Sequence, residues 1–121
     1  MTKIHIAFFY SLLHFLCACS GTECDKLPKN YSSYKEAIKI ITAADFQIEE
    51  TVNTSKSSWV RGASYYSCDG ATGFFILKTD NQDYLYSGVP TEIWQGFKNA
   101  ESFGSFYNHN IKHRYTFNLN Q

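Results

Sequence analysis

The stretch Gly73-Phe74-Phe75-Ile76-Leu77-Lys78-Thr79-Asp80-Asn81-Gln82-Asp83-Tyr84-Leu85-Tyr86-Ser87 decides the fold class. Phe74 to Leu77 is an unbroken apolar run, with none of the polar positions a solvated sheet face requires. It therefore predicts a central strand covered on both faces. Thr79–Asp83 is polar and rich in turn formers, as a hairpin loop is. Tyr84–Ser87 is then the partner strand, with Tyr84 and Tyr86 on one face because strand side chains alternate.

Working upstream, Trp59 to Ser67 is an aromatic-rich strand closed by the turn residues Cys68-Asp69-Gly70. Phe46, Ile48, Glu50 and Val52 alternate with Gln47, Glu49 and Thr51, a strand with one imperfect inward position at Glu50. Tyr34, Ala37, Ile38 and Ile41 fall at helical spacing behind Ser32 and Ser33, either of which suits an N-cap. Downstream, Gly88-Val89-Pro90 leads into a helix whose Ile93, Trp94, Phe97 and Ala100 make a buried face, ending near Gly104. A last segment begins at Gly104-Ser105-Phe106-Tyr107-Asn108, passes through Ile111–Tyr115 and closes in a short strand, Thr116–Leu119. The expectation is a single small α+β domain: a sheet of about four mainly antiparallel strands, an N-terminal helix, and a helix after the Tyr-x-Tyr strand.

Composition narrows the function classes. The 121 residues are 44% apolar and 17% aromatic with two prolines, so a packed domain is favoured over disorder. Eleven Lys+Arg balance eleven Asp+Glu, which excludes a polybasic binder drawn to nucleic acid or anionic membrane by long-range charge.

Residues 1–18 are a different material from the rest. Lys3 precedes an apolar run from Ile4 to Leu16, interrupted at His5, Ser11 and His14, too short for a transmembrane span of about 20 residues. It fits the apolar region of an export signal, about 7–15 residues. Leu16-Cys17-Ala18-Cys19 resembles the bacterial lipobox, in which small residues admit the chain to a peptidase and the Cys thiol accepts a diacylglycerol. That resemblance implies lipidation at Cys19, a cut before it, and a membrane-anchored protein of the bacterial cell envelope facing the periplasm or exterior. An ordinary signal cut near Ala18 and a buried N-terminal helix are the other readings of the same residues. Each buried acyl CH₂ contributes about 0.8 kcal/mol, so two or three chains anchor stably. The organisation is then a signal peptide at 1–18, a tether at 19–30, an N-terminal helix and strand at 31–56, and the remaining domain at 57–121.

Cys24 and Cys68 are left over. An oxidising compartment permits a disulfide between them; two free thiols is the competing reading. No CxxC spacing supports zinc, and no metal or other cofactor is expected.

From Ser57 onward the chain resembles a KTSC domain, a short module named for its occurrence at the C-terminus of some lysyl-tRNA synthetases. Ser57-Ser58-Trp59-Val60, then Tyr84-Leu85-Tyr86 with Gly88-Val89-Pro90, carry the likeness. So do Ala100-Glu101-Ser102-Phe103-Gly104, Phe106-Tyr107-Asn108 and Ile111-Lys112. The resemblance implies one sheet with one helix, no assigned activity, and RNA binding as the function put forward for the family. Export would remove this copy from tRNA and synthetase, so nucleic acid is the alternative partner and not the expected one.

Two features qualify as binding sites. Tyr84 and Tyr86, if uncovered, can stack on bases, sugars or peptide aromatics; packed under a helix, they are core. Lys112 and Arg114, beside His109 and His113, form a locally basic strip that is either an anion site or a solvated edge. His109 and His113 lack the intervening Glu of a HExxH metal motif. Neither GxSxG nor a recognised Cys–His pair is present, and Asp80 and Asp83 suit turn chemistry better than catalysis. The expected function is a non-catalytic binding or adaptor module whose partner is an envelope protein or cell-surface polymer. RNA binding through the aromatic face is the first alternative, and a small envelope enzyme the second.

Overall fold

The computed structural model describes residues 22–119. The expected signal segment at residues 1–18, the lipobox and Cys19 lie outside the described residues.

Helix α1 (Tyr34–Ala43) starts at Ser33, whose side chain accepts a hydrogen bond from the Glu36 amide at 3.0 Å. The Glu36 carboxylate reaches back past the cap to accept from the Ser32 amide at 2.8 Å, a capping-box-like exchange displaced by one residue. Ala37 and Ile41, one turn apart, are its buried positions.

Four strands follow: β1 (Ile48–Val52), β2 (Gly62–Ser67), β3 (Thr72–Lys78) and β4 (Asp83–Pro90). They form one antiparallel sheet in the order β1-β2-β3-β4, each paired with its neighbour in sequence. Helices α2 (Thr91–Lys98) and α3 (Phe103–Asn110) close the chain's regular structure. The fold is α+β, as the hairpin at 73–87 predicts.

The sheet is the middle of three layers. Phe75, Leu77, Tyr65, Ala63 and Val89 face α2 and α3, where Trp94, Phe97, Phe103 and Tyr107 complete one core. Ile76 and Leu85 point the other way, onto Ala37 and Ile41 of α1 and onto Phe117. Phe75, Ile76 and Leu77 are all buried, which is why β3 reads as an unbroken apolar run. Each such side chain contributes about 1.5–3 kcal/mol when fully buried.

The imperfect inward position of β1 has a chemical reason. Glu50 faces α2, and its carboxylate accepts hydrogen bonds from the Trp94 indole at 2.7 Å and the Lys98 ammonium at 2.8 Å. A carboxylate there satisfies the indole N–H of the otherwise fully buried Trp94.

Three local expectations are corrected. The helix after β4 ends at Lys98, and residues from Phe103 form the separate helix α3, capped by Ser102, whose hydroxyl accepts from the Ser105 amide at 3.1 Å. Residues 116–119 are not a strand, although the Thr116 carbonyl accepts from the Ser87 amide at 3.1 Å and covers part of the β4 edge. The strand expected from Trp59 begins only at Gly62, because residues 54–60 turn instead.

Within the expected tether, residues from Thr22 onward are bonded to the domain. The Asp45 amide donates to the Thr22 carbonyl at 2.7 Å, and the Cys24 amide donates to the Asp45 carbonyl at 3.2 Å. Cys24 and Cys68 are joined as a disulfide, their Cα atoms 5.8 Å apart.

Candidate functional site

The end of the sheet opposite Cys68 is where β3 turns into β4. There Thr79 closes the hairpin: its amide and hydroxyl both donate to the Gln82 carbonyl, at 3.1 and 2.9 Å. Asp80 projects from this loop and accepts from Arg61 through both carboxylate oxygens, at 2.9 and 3.3 Å. The pair is exposed and contributes little stability. It does fix the direction of the Asp80 carboxylate and neutralises it.

Tyr84 begins β4 beside this loop. Tyr84, Trp59 and Tyr34 are the exposed large apolar side chains among the described residues, at 36%, 38% and 47% exposure. Each borders one or both of two adjoining clefts. Between Trp59 and Tyr84 lies a cleft of about 280 Å³, floored by Tyr107 and rimmed by Asp80, Asn81, Asn108 and Lys112. Between Tyr84 and Tyr34 lies a second of about 410 Å³, which Tyr86, Lys112 and His113 also line. Tyr84, Tyr107 and Lys112 are common to both.

Trp59 is placed by two devices. Ser57 holds the turn before it, its hydroxyl accepting from the Val60 amide at 3.0 Å. Gly104 of α3 then lets the indole lie flat on the helix: a Cβ at that position would sit 2.7 Å from Trp59 Cε2. The indole meets the Tyr107 ring edge to face, centroids 5.9 Å apart.

Tyr86 has a different situation from Tyr84, although both lie on the same strand face. Its ring packs on Tyr107, with centroids 5.8 Å apart, and on Phe75. Its hydroxyl is hydrogen-bonded to that of Tyr107. Burial pushes the Tyr86 phenol up, and burial together with Tyr86 pushes Tyr107 well above the ordinary tyrosine value. Both hydroxyls are protonated at neutral pH, forming a neutral floor.

The basic strip divides in the same way. Lys112 reaches the clefts. Arg114 turns back instead, donating to the His109 carbonyl at 2.8 Å, where a cation suits the C-terminal end of α3. His109 bonds within its own helix, Nδ1 lying 2.8 Å from the Ser105 carbonyl. His113 takes a left-handed backbone conformation, φ 68°, in the turn after α3. Of the residues singled out from the sequence, then, Tyr84 and Lys112 come together, Tyr86 lies beneath them, and Arg114 caps a helix. Sequence reasoning missed Trp59 and Tyr34. The signal for Trp59 was the pairing of its turn with a glycine far along the chain, visible only once α3 is in place.

Among the described residues, no group of three His, Cys, Asp or Glu side chains is arranged to hold a metal ion. No helix there is long and apolar enough to cross a membrane.

Residues 79–115 match the KTSC domain family. The KTSC stretch starts in the β3–β4 loop and runs through β4, α2 and α3 to Tyr115, so it carries Asp80, Tyr84, Tyr86, Tyr107 and Lys112. It omits the Ser57–Val60 turn and α1, so Trp59 and Tyr34 are supplied from outside it. No curated protein and no solved structure gives a significant match to the chain.

Proposed function

We propose that the chain is an exported, lipid-anchored, non-catalytic binding module of the bacterial cell envelope, with the KTSC stretch forming most of its ligand-facing end. The observation that carries this reading is the Cys24–Cys68 disulfide, because such bridges persist in oxidising compartments and are rare in the bacterial cytoplasm. It agrees with an apolar leader and a lipobox-like Leu16-Cys17-Ala18-Cys19 just upstream.

The same bridge sets the orientation of an anchored chain. Cys24 lies five positions after Cys19, a reach of at most about 18 Å when fully extended. The Cys24–Cys68 end of the sheet would face the membrane, and the β3–β4 loop, at the far ends of strands β2 to β4, would face away from it. The clefts around Tyr84 are thereby displayed to an envelope protein or a cell-surface polymer.

The test is the redox state of the two cysteines in cells. Thiol trapping of the full chain in a bacterial host should find Cys24 and Cys68 oxidised, and a fully reduced pair would contradict export.

A further inference from the structure

The strip Trp59–Tyr84–Tyr34 belongs to the end that the proposed function presents to a ligand, and its chemistry narrows what that ligand is. Taking that end as a binding surface, the geometry points to a saccharide site: the Trp59–Tyr84 cleft accepts a neutral pyranose, which the second cleft extends along a chain toward Tyr34. A pyranose has a flat face of C–H groups and a rim of hydroxyls, each both donor and acceptor. The cleft supplies the complement. Two exposed aromatic rings stand at its sides, and Asn81, Asn108, Asp80 and Lys112 surround them. Amide side chains both donate and accept, as a hydroxyl rim requires, while aromatic walls bury an apolar face.

The charge balance argues against the competing ligands. An anionic polymer needs several cations along its path. The inner cleft has Lys112 opposite Asp80, whose charge Arg61 already meets, and Arg114 is directed at a helix terminus. An extended peptide adding to the sheet needs a free strand edge. β4 offers only part of one, since at Ser87 both the amide and the hydroxyl donate to the Thr116 carbonyl, at 3.1 and 3.0 Å, leaving the four residues Asp83–Tyr86 beside the clefts. What remains open in the inner cleft is aromatic surface with two amide side chains and one cation, Lys112, too few charges to bind an anionic polymer.

The test uses the purified full chain in detergent. Its probes are the β-1,4-linked N-acetylglucosamine tetramer, cellotetraose and maltotetraose, with poly-uridine as the nucleic-acid control. At least one tetrasaccharide should bind saturably and change the Trp59 fluorescence. Tyr84→Ala and Asn108→Ala should each weaken it roughly tenfold or more, the range expected when one good contact is lost. Asn108 is exposed on α3, so that variant reports on binding even where Tyr84→Ala perturbs the strand. Retention of none of the three sugars overturns the proposal, as does sugar binding indifferent to both substitutions. Salt-sensitive retention of poly-uridine that depends on Tyr84 assigns the cleft to nucleic acid instead. Failure on sugars with Cys24 and Cys68 oxidised removes the saccharide assignment alone. Sugar binding by a chain whose cysteines are reduced in cells removes export alone.

Discussion

The hydroxyl of Tyr86 on β4 is hydrogen-bonded to the hydroxyl of Tyr107 on α3, tying the sheet to the last helix directly beneath the clefts. Each ring also packs on the other, and Tyr107 is only 3% exposed. This contact sets the depth of the cleft floor and the position of the helix that carries Asn108 and leads to Lys112.

Removing either hydroxyl takes away the other's hydrogen-bond partner beneath the clefts, where Tyr107 is buried. Tyr86→Phe and Tyr107→Phe should each cost about 1–3 kcal/mol, and the double variant less than their sum. Urea denaturation of the four proteins in a double-mutant cycle measures this. Strict additivity would mean that the two hydroxyls do not interact.

Gly104→Ala should displace Trp59, because the added Cβ would overlap the indole, 2.7 Å from Cε2. The expected cost is about 1–3 kcal/mol from overpacking, accompanied by a shift in Trp59 emission. The comparison protein for the fluorescence is Trp59→Phe, which retains only the buried Trp94.

Reduction of the Cys24–Cys68 bridge, or Cys24→Ser with Cys68→Ser, should lower stability by about 2–4 kcal/mol, since the bridge closes a loop spanning 44 residues. Thermal melts with and without reductant check it. The double variant should show no further response to reductant.

Glu50 ties part of the acid stability to its ion pair with Lys98. The Lys98 and Trp94 hydrogen bonds hold its carboxyl below the usual 4.5. A lowered folded value means that the contribution is complete above the unfolded value and is lost as pH falls through the folded one. Glu50→Gln should therefore reduce stability at neutral pH and flatten its fall below about pH 4.5. A pH series of denaturation midpoints shows whether the two curves converge at low pH, as expected, or stay parallel.

How far the sequence could be read follows from how local each signal is. The run Phe74–Leu77 announced a strand covered on both sides because burial of consecutive residues needs nothing but the run itself. The serines Ser32 and Ser33, either able to cap, and the Ala37–Ile41 spacing announced α1 for the same reason. Helix α3 was harder to see. Its buried residues are Phe103, Gly104 and Tyr107, and a glycine contributes no apolar mark to a helical pattern. The cap Ser102 was the available local clue. Tyr84 and Tyr86 share a strand face, but their different exposures depend on where Tyr107 arrives, a contact 21 residues away for Tyr86. Arg114 likewise looked like part of a cationic strip until the end of α3 gave its guanidinium a carbonyl to bond.

The account rests on Cys19, whose acylation would turn a short leash into an anchor and give the Tyr84 end its outward direction. The most direct measurement is metabolic labelling of the full chain with a fatty acid in a bacterial host, followed by membrane fractionation, for the native chain and Cys19→Ser. The account predicts a labelled, membrane-bound native chain and an unlabelled variant shifted to soluble or uncleaved precursor fractions. A native chain without label, or one whose fractionation Cys19→Ser leaves unchanged, would contradict it.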